Sequence, residues 1–162
     1  QFLKNTQKKS CPTCNEFFAT PEGNMPLGST MTHAVYNGGV PGFDCNQYIE
    51  ISYDIPSGVQ DNTHPRPGIP FHGTHRRAFL PCTDKGQLVL RLLYKAFECR
   101  LTFTVGDSIT TGAQNVVVWN NIHHKTNLSG GSASFGYPDA DYLDRVMEEM
   151  RVLGITEDMI NE

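Results

Sequence analysis

Fifteen glycines and ten prolines punctuate a chain of 162 residues, and that density of turn residues is the tightest constraint on its fold. Both residue types interrupt helices and interior strands, so few segments remain long enough for regular structure. The expectation is a loop-rich, single-domain α+β fold with a mostly antiparallel sheet and two main helices, rather than a helix bundle. A chain of this length builds one well-packed core and not two large ones. The formal net charge of −4 argues against a general nucleic-acid binder, which would be basic. Much of the acidity is local: eight acidic residues lie between Asp139 and Glu162, against only Arg145 and Arg151. No apolar run is long enough to cross a membrane and no signal-peptide pattern opens the chain, so no membrane partner is expected. The opening at Gln1 reads as the start of a fragment.

The clearest helix spans about 85–100, where Val89, Leu92, Leu93, Ala96 and Phe97 fall on one apolar stripe. A second helix spans about 139–153, with Asp139 or Asp141 placed to cap its first turn. Tyr142, Leu143, Val146, Met147, Met150 and Leu153 define its apolar face. At about 100° per residue, Glu148 points away from that face, whereas Glu149 lies at its edge in line with Tyr142. Glu148 is therefore a solvent charge, and Glu149 borders a partly desolvated cleft. Strands are expected over Tyr48–Tyr53, Leu101–Val105 and Val116–Trp119. Ser129-Gly130-Gly131-Ser132 reads as a mobile loop tip, and residues 1–28 as an appended piece, with the domain proper beginning near Thr30.

Polar groups concentrate between Val116 and Glu149. His123-His124-Lys125-Thr126 follows a strand, and alternation on an extended segment lets one histidine face a ligand while the other packs. A buried histidine bonded to backbone and a surface turn explain the same residues equally well. Gly106-Asp107-Ser108-Ile109-Thr110-Thr111-Gly112 has the glycines and hydroxyls to cradle a phosphate or ribose. It lacks the lysine and helix of a P-loop, so a plain hairpin connector is the default. His72-x-x-His75 has no acidic partner at a telling spacing, and a polar loop is preferred to a metal site. Of five cysteines, Cys45, Cys82 and Cys99 read as reduced and buried thiols. Cys11-x-x-Cys14 has the spacing of half a zinc site without a second pair, and its setting resembles the close of a RING finger.

Five motifs occur in order: Asp54-Ile55-Pro56-Ser57-Gly58-Val59-Gln60, His64-Pro65-Arg66-Pro67-Gly68, Thr102-Phe103-Thr104-Val105-Gly106, Val118-Trp119-Asn120-Asn121-Ile122-His123-His124-Lys125-Thr126 and Gly136-Tyr137-Pro138-Asp139. Together they resemble the C-terminal domain of the Deltex family of ubiquitin ligases, over about Pro21 to Gly154. The resemblance implies that residues 1–20 are the end of a RING finger, with Cys11 and Cys14 as zinc ligands once that finger is complete, and that residues 21–162 are the Deltex C-terminal domain. It implies a domain binding ADP-ribose or NAD+. A ubiquitin-conjugating enzyme charged with ubiquitin would dock on the RING, and ADP-ribosylated proteins or nucleic acid would serve as further partners. The implied setting is cytoplasmic or nuclear. His123 and Glu149 would be catalytic, Glu149 as the base activating a ribose hydroxyl. Gly106, Ser108, Ile109, Thr110, His123, Lys125, Thr126, Phe135, Gly136 and Tyr137 would line the nucleotide site. Two positions depart from the family pattern: Ile109 replaces a common serine, and Phe135 a frequent histidine. The first removes a polar contact, and the second offers a ring for stacking without a hydrogen bond. A reader module that only recruits ADP-ribosylated targets, and a protein-interaction domain without a small ligand, are the rival expectations. Lacking an intact RING, this chain alone is expected to be inactive in transfer.

Overall fold

The computed structural model describes residues 21–160. In chain order the elements are β1 (Thr30–Asn37), β2 (Gln47–Ile55), β3 (Gly58–Val59), β4 (Pro70–Phe71), β5 (Thr74–Pro81), α1 (Asp84–Glu98), β6 (Phe103–Gly106), β7 (Val116–Trp119) and α2 (Tyr142–Val152). Strands β1, β2 and β5 form an antiparallel sheet in the order β1-β2-β5, and β3-β4 and β6-β7 form two further antiparallel pairs. The expected α+β class, antiparallel pairing and two helices are all present, and α2 starts three residues later than the periodicity suggests. Among the described residues, no helix is long and apolar enough to cross a membrane.

Side-chain period explains the layers. In β2, Ile49, Ile51, Tyr53 and Ile55 are buried while Tyr48, Glu50 and Ser52 alternate to the half-exposed face. The buried face meets α1 through Val89, Leu92, Leu93 and Ala96; Phe97, at the end of the stripe, is only partly covered. Thr83 caps α1, its Oγ1 accepting the Gly86 N–H at 3.0 Å. Gly86 is dictated by proximity, since any Cβ there would collide with the Pro81 carbonyl. At the centre, the fully buried Tyr53 meets Phe97 at 5.7 Å, and presents its ring to Phe103 at 5.2 Å and Trp119 at 5.9 Å, joining sheet, helix and the β6–β7 hairpin.

Two expectations need correction, and a third stretch is described more closely. Residues 21–28, which pattern alone sets apart but the resemblance includes, are part of the domain: Gly23 N–H donates to the Cys99 carbonyl at 2.8 Å, Arg100 Nε to the Met25 carbonyl at 2.8 Å, and Met25 is 2% exposed. Backbone pairing holds this segment, so it needs no apolar period of its own. Neither Asp139 nor Asp141 caps α2 with its side chain; Asp141 occupies the cap position without such a bond, and Asp139 is drawn to two cations described below. The Ser129–Ser132 stretch is closed by backbone bonds, Gly131 N–H to the Tyr137 carbonyl at 3.1 Å and Gly136 N–H to the Gly131 carbonyl at 2.9 Å. The zinc expectation at Cys11 and Cys14 lies outside the described residues.

Candidate functional site

Beyond β7 the chain runs along β5, where the Lys125 carbonyl accepts the Phe79 N–H at 2.8 Å. This bond sets the two histidines on opposite sides. His124 turns inward, 8% exposed, with its ring stacked on Trp119 at 4.4 Å. Its Nδ1 lies 3.0 Å from the Ile122 carbonyl and its Nε2 2.8 Å from the Tyr53 hydroxyl. Those partners assign the proton to Nδ1 and make Nε2 the acceptor of the Tyr53 O–H. Burial drives its pKa down to about 4, so His124 packs as a neutral ring.

His123 turns outward and is gripped by Glu149. One carboxylate oxygen accepts the His123 backbone N–H at 2.9 Å, and the other lies 2.6 Å from Nδ1. The carboxylate therefore holds the proton on Nδ1 and leaves the Nε2 lone pair facing solvent, on a side chain that is 76% exposed. Glu149 is 28% exposed, whereas Glu148 points outward and pairs with Arg151, the division that helical geometry requires. A second tether from α2 is the Tyr142 hydroxyl, which donates to the His123 carbonyl at 2.8 Å. Burial raises the Tyr142 hydroxyl well above the usual tyrosine range, so it remains a donor.

Beneath this dyad lies an ion cluster. Lys125 is buried, with Nζ 2.7 Å from Asp139 and over the Tyr142 ring at 5.2 Å. Arg145 takes both Asp139 oxygens at 2.9 and 3.0 Å. Arg145 first, then Lys125, holds the Asp139 carboxyl far below the usual range. Tyr137 is fully buried and donates its hydroxyl to the Phe79 carbonyl at 2.8 Å. Lys125 and Tyr137 are thus buried and linked to His123 through Tyr142. Further along the chain, Thr126 is half-buried, Gly136 lies against the Ser129 carbonyl, and Phe135 is 63% exposed with a left-handed backbone at φ 57°. Such a conformation is strained for a bulky residue.

The glycine-hydroxyl loop is the connector of the β6–β7 hairpin. Its ends are the pair Gly106–Val116, while His123 lies beyond the opposite pair, Phe103–Trp119. Four residues of β7 separate the two groups by roughly 10 Å of strand. The tip is closed by Ser108 N–H to the Ala113 carbonyl and Gly112 N–H to the Ser108 carbonyl, both at 2.8 Å. Ile109 projects fully exposed, and Thr110 is exposed beside it. Of the expected site residues, contacts join His123 and Glu149 directly and reach Lys125 and Tyr137 through Tyr142, while Thr126, Phe135 and Gly136 are chain neighbours of that group. Gly106, Ser108, Ile109 and Thr110 occupy the hairpin tip, and no hydrogen bond joins the two groups among the described residues. His75 pairs with Asp54 at 2.7 Å, and among the described residues no cluster of three or more acidic, cysteine or histidine groups suits a metal.

Three contributors were not anticipated: Tyr142 as a tether, Asp139 as a counter-ion, and Arg145. Tyr142 shares the line of Glu149 on α2, a signal present in the sequence, whereas Lys125 stands among polar neighbours and gave no sign of its burial against an anion. Arg145 had no such signal. Chemically, an imidazole oriented by a carboxylate, with a bare Nε2, accepts a proton from an approaching hydroxyl, and the carboxylate then stabilises the imidazolium.

Residues 22–155 match the Deltex C-terminal domain. The chain is 47% identical over 152 residues to the probable E3 ubiquitin-protein ligase DTX3 of Homo sapiens, covering 93% of this chain and 44% of that protein. It is 46% identical over 151 residues to the E3 ubiquitin-protein ligase DTX1 of Mus musculus, covering 92% of this chain and 24% of that one. For mouse DTX4, another E3 ubiquitin-protein ligase, the identity is 41% over 150 residues, with 91% and 24% covered. The chain thus spans less than half the length of these relatives. With the match running from the segment stitched beneath α1 to the residues just past α2, and enclosing His123 and Glu149, this chain belongs to the Deltex C-terminal domain family.

Proposed function

We propose that this domain holds ADP-ribose, free, as part of NAD+, or attached to a target, for ubiquitin transfer within a RING-type ubiquitin ligase. The single observation that carries the reading is the Glu149–His123 dyad, with Nδ1 2.6 Å from the carboxylate and Nε2 bare toward solvent. In the transfer, a ribose O–H gives its proton to Nε2 as its oxygen attacks the thioester carbonyl of charged ubiquitin. An ester bond forms, the C–S bond breaks, and the thiolate of the conjugating enzyme leaves. Glu149 acts through His123 in this geometry, because both of its oxygens are engaged there. Aligning two large partners supplies much of the rate, so pre-organisation of the dyad from α2 matters.

The residues present suit a nucleotide. Phe135 offers an exposed ring for base stacking, and the Ser108, Thr110 and Thr126 hydroxyls offer hydrogen bonds to ribose and phosphate. Lys125 contributes by ordering the ion cluster beneath the dyad, since its ammonium is committed to Asp139. In the whole protein, the partners are a ubiquitin-conjugating enzyme and ADP-ribosylated protein or nucleic acid, in the nucleus or cytoplasm, with zinc confined to the RING.

The test is a calorimetric titration of this chain with ADP-ribose and with NAD+, repeated on a folded His123→Ala variant. Saturable binding that weakens or disappears in the variant supports the site at His123. Absence of binding by the folded, unsubstituted chain sinks the nucleotide reading and leaves a protein-interaction domain. Binding that persists while a RING-complete chain transfers no ubiquitin to ADP-ribose leaves a reader module.

A further inference from the structure

The motif His64-Pro65-Arg66-Pro67-Gly68 has no part in the chemistry above, yet it delivers one side chain into a dense polar network. Arg66 Nη1 and Nη2 bind Asp107 in a bidentate pair at 2.8 and 2.9 Å, and Nη1 also reaches the Asn115 side-chain oxygen at 2.8 Å. Asn115 donates its own N–H back to Asp107 at 3.2 Å and holds a left-handed φ of 56°. Gln60, 3% exposed, completes the ring: its Nε2 donates to Asn115 at 3.0 Å, and its Oε1 accepts the Arg66 N–H at 3.0 Å. Asp107 and Asn115 are the two ends of the β6–β7 connector that bears Ser108, Ile109 and Thr110.

This network is poorly explained as a source of stability. The Arg66 and Asp107 side chains are 39% and 44% exposed, and ion pairs that wet contribute little to folding. What a bidentate fork supplies is geometry, since it fixes both the distance and the plane of its partner. The flanking prolines add to this. Pro65 and Pro67 restrict their own φ, and Pro67 disfavours a helical conformation at Arg66, so the backbone presenting the guanidinium is pre-set. Two segments far apart in sequence, Gln60–Arg66 and Asp107–Asn115, thus converge; the Asn115 carbonyl also accepts the His72 N–H at 3.0 Å, and the connector's own bonds are turn bonds.

We propose that Arg66 is a positioning residue of the candidate site: by pinning both ends of the 107–115 connector, it fixes Ser108 and Thr110 in place and so sets how tightly the nucleotide is held. This rests on the functional reading above. The experiment pairs amide hydrogen exchange on the free chain with calorimetric titration of ADP-ribose, for Arg66→Ala, Arg66→Lys and the Ser108→Ala/Thr110→Ala background. In Arg66→Ala, exchange at the Ser108, Gly112 and Asn115 amides accelerates while the α1 amides stay protected, and the ADP-ribose Kd rises roughly tenfold. Arg66→Lys, which keeps the charge and loses the fork, falls between the two. In the Ser108→Ala/Thr110→Ala background, Arg66→Ala adds no further loss, because its effect runs through those hydroxyls. Unchanged exchange in Arg66→Ala overturns the inference with or without ligand, as does an unchanged Kd or an undiminished loss in the double background. If the unsubstituted chain takes up no ADP-ribose, the functional reading itself falls, before any variant is made, and this inference falls with it.

Discussion

His123 and His124 are adjacent, chemically identical, and opposite in fate, and both fates follow from period-two alternation beside β5. Alternation left an inward and an outward ring as one reading among others, and only the resemblance pointed to His123 as the outward one; the bond between Lys125 and Phe79 fits that orientation. The inward ring carries a pH dependence. Its pKa is near 4 in the folded protein against about 6.5 when unfolded, so the unfolded chain binds the extra proton first. Full stability from this group is present above about pH 6.5 and is lost as pH falls toward 4, by roughly 3 kcal/mol from a shift of this size. Thermal melts across that range should show the decline, and His124→Phe should flatten it; an identical slope in the variant would refute the assignment. In the proposed function the outward ring takes the ribose proton. Glu149→Gln keeps an acceptor for the His123 N–H but cannot accept the Nδ1 proton. The expected outcome is loss of the single tautomer in imidazole nitrogen NMR and a fall in ubiquitin transfer of about 10²-fold or more in a RING-complete chain, with ADP-ribose affinity changed far less. A proportionate loss of affinity would instead give Glu149 a ligand-contact role.

At the scale of elements, α1 behaves as its stripe demands. Leu93 is fully buried in the core, so truncation there leaves a cavity. Leu93→Ala should cost about 2–5 kcal/mol by urea denaturation. For α2 the apolar face was legible, whereas its beginning was not, because Asp139, one of the two acids offered as a cap, is drawn elsewhere and Asp141 takes the cap position without a side-chain bond. Asp139 is 9% exposed and its carboxylate is shared between Lys125 and Arg145. Asp139→Asn should therefore destabilise the domain by about 3 kcal/mol, the order expected for stranding a buried ammonium, where loss of a cap would cost nearer 1. Equilibrium unfolding decides between these magnitudes, and combining Asp139→Asn with Lys125→Met should recover part of the loss.

Across the whole molecule, Tyr53 and the sole tryptophan, Trp119, tie the parts into one unit. Trp119 stacks on Phe103 at 4.5 Å and on His124 at 4.4 Å, so its environment reports at once on the β6–β7 hairpin and the histidine segment. If these elements and the β1-β2-β5 sheet share one core, tryptophan fluorescence and far-ultraviolet circular dichroism should follow a single urea transition. A fluorescence change at lower urea would instead mark the hairpin and site as a separately opening region.

Local pattern was enough to determine the class of fold, both helices, the strands that carry alternating apolar residues, and the separation of Glu149 from Glu148. These are properties of period, and period is written along the chain. The pairing of Glu149 with His123, the capture of Asp139 by Lys125 and Arg145, and the clamp of Arg66 on the β6–β7 connector were decided by tertiary structure alone. Each joins residues whose proximity comes from how strands and helices pack, and whose side chains have several chemically adequate partners until packing leaves only one within reach.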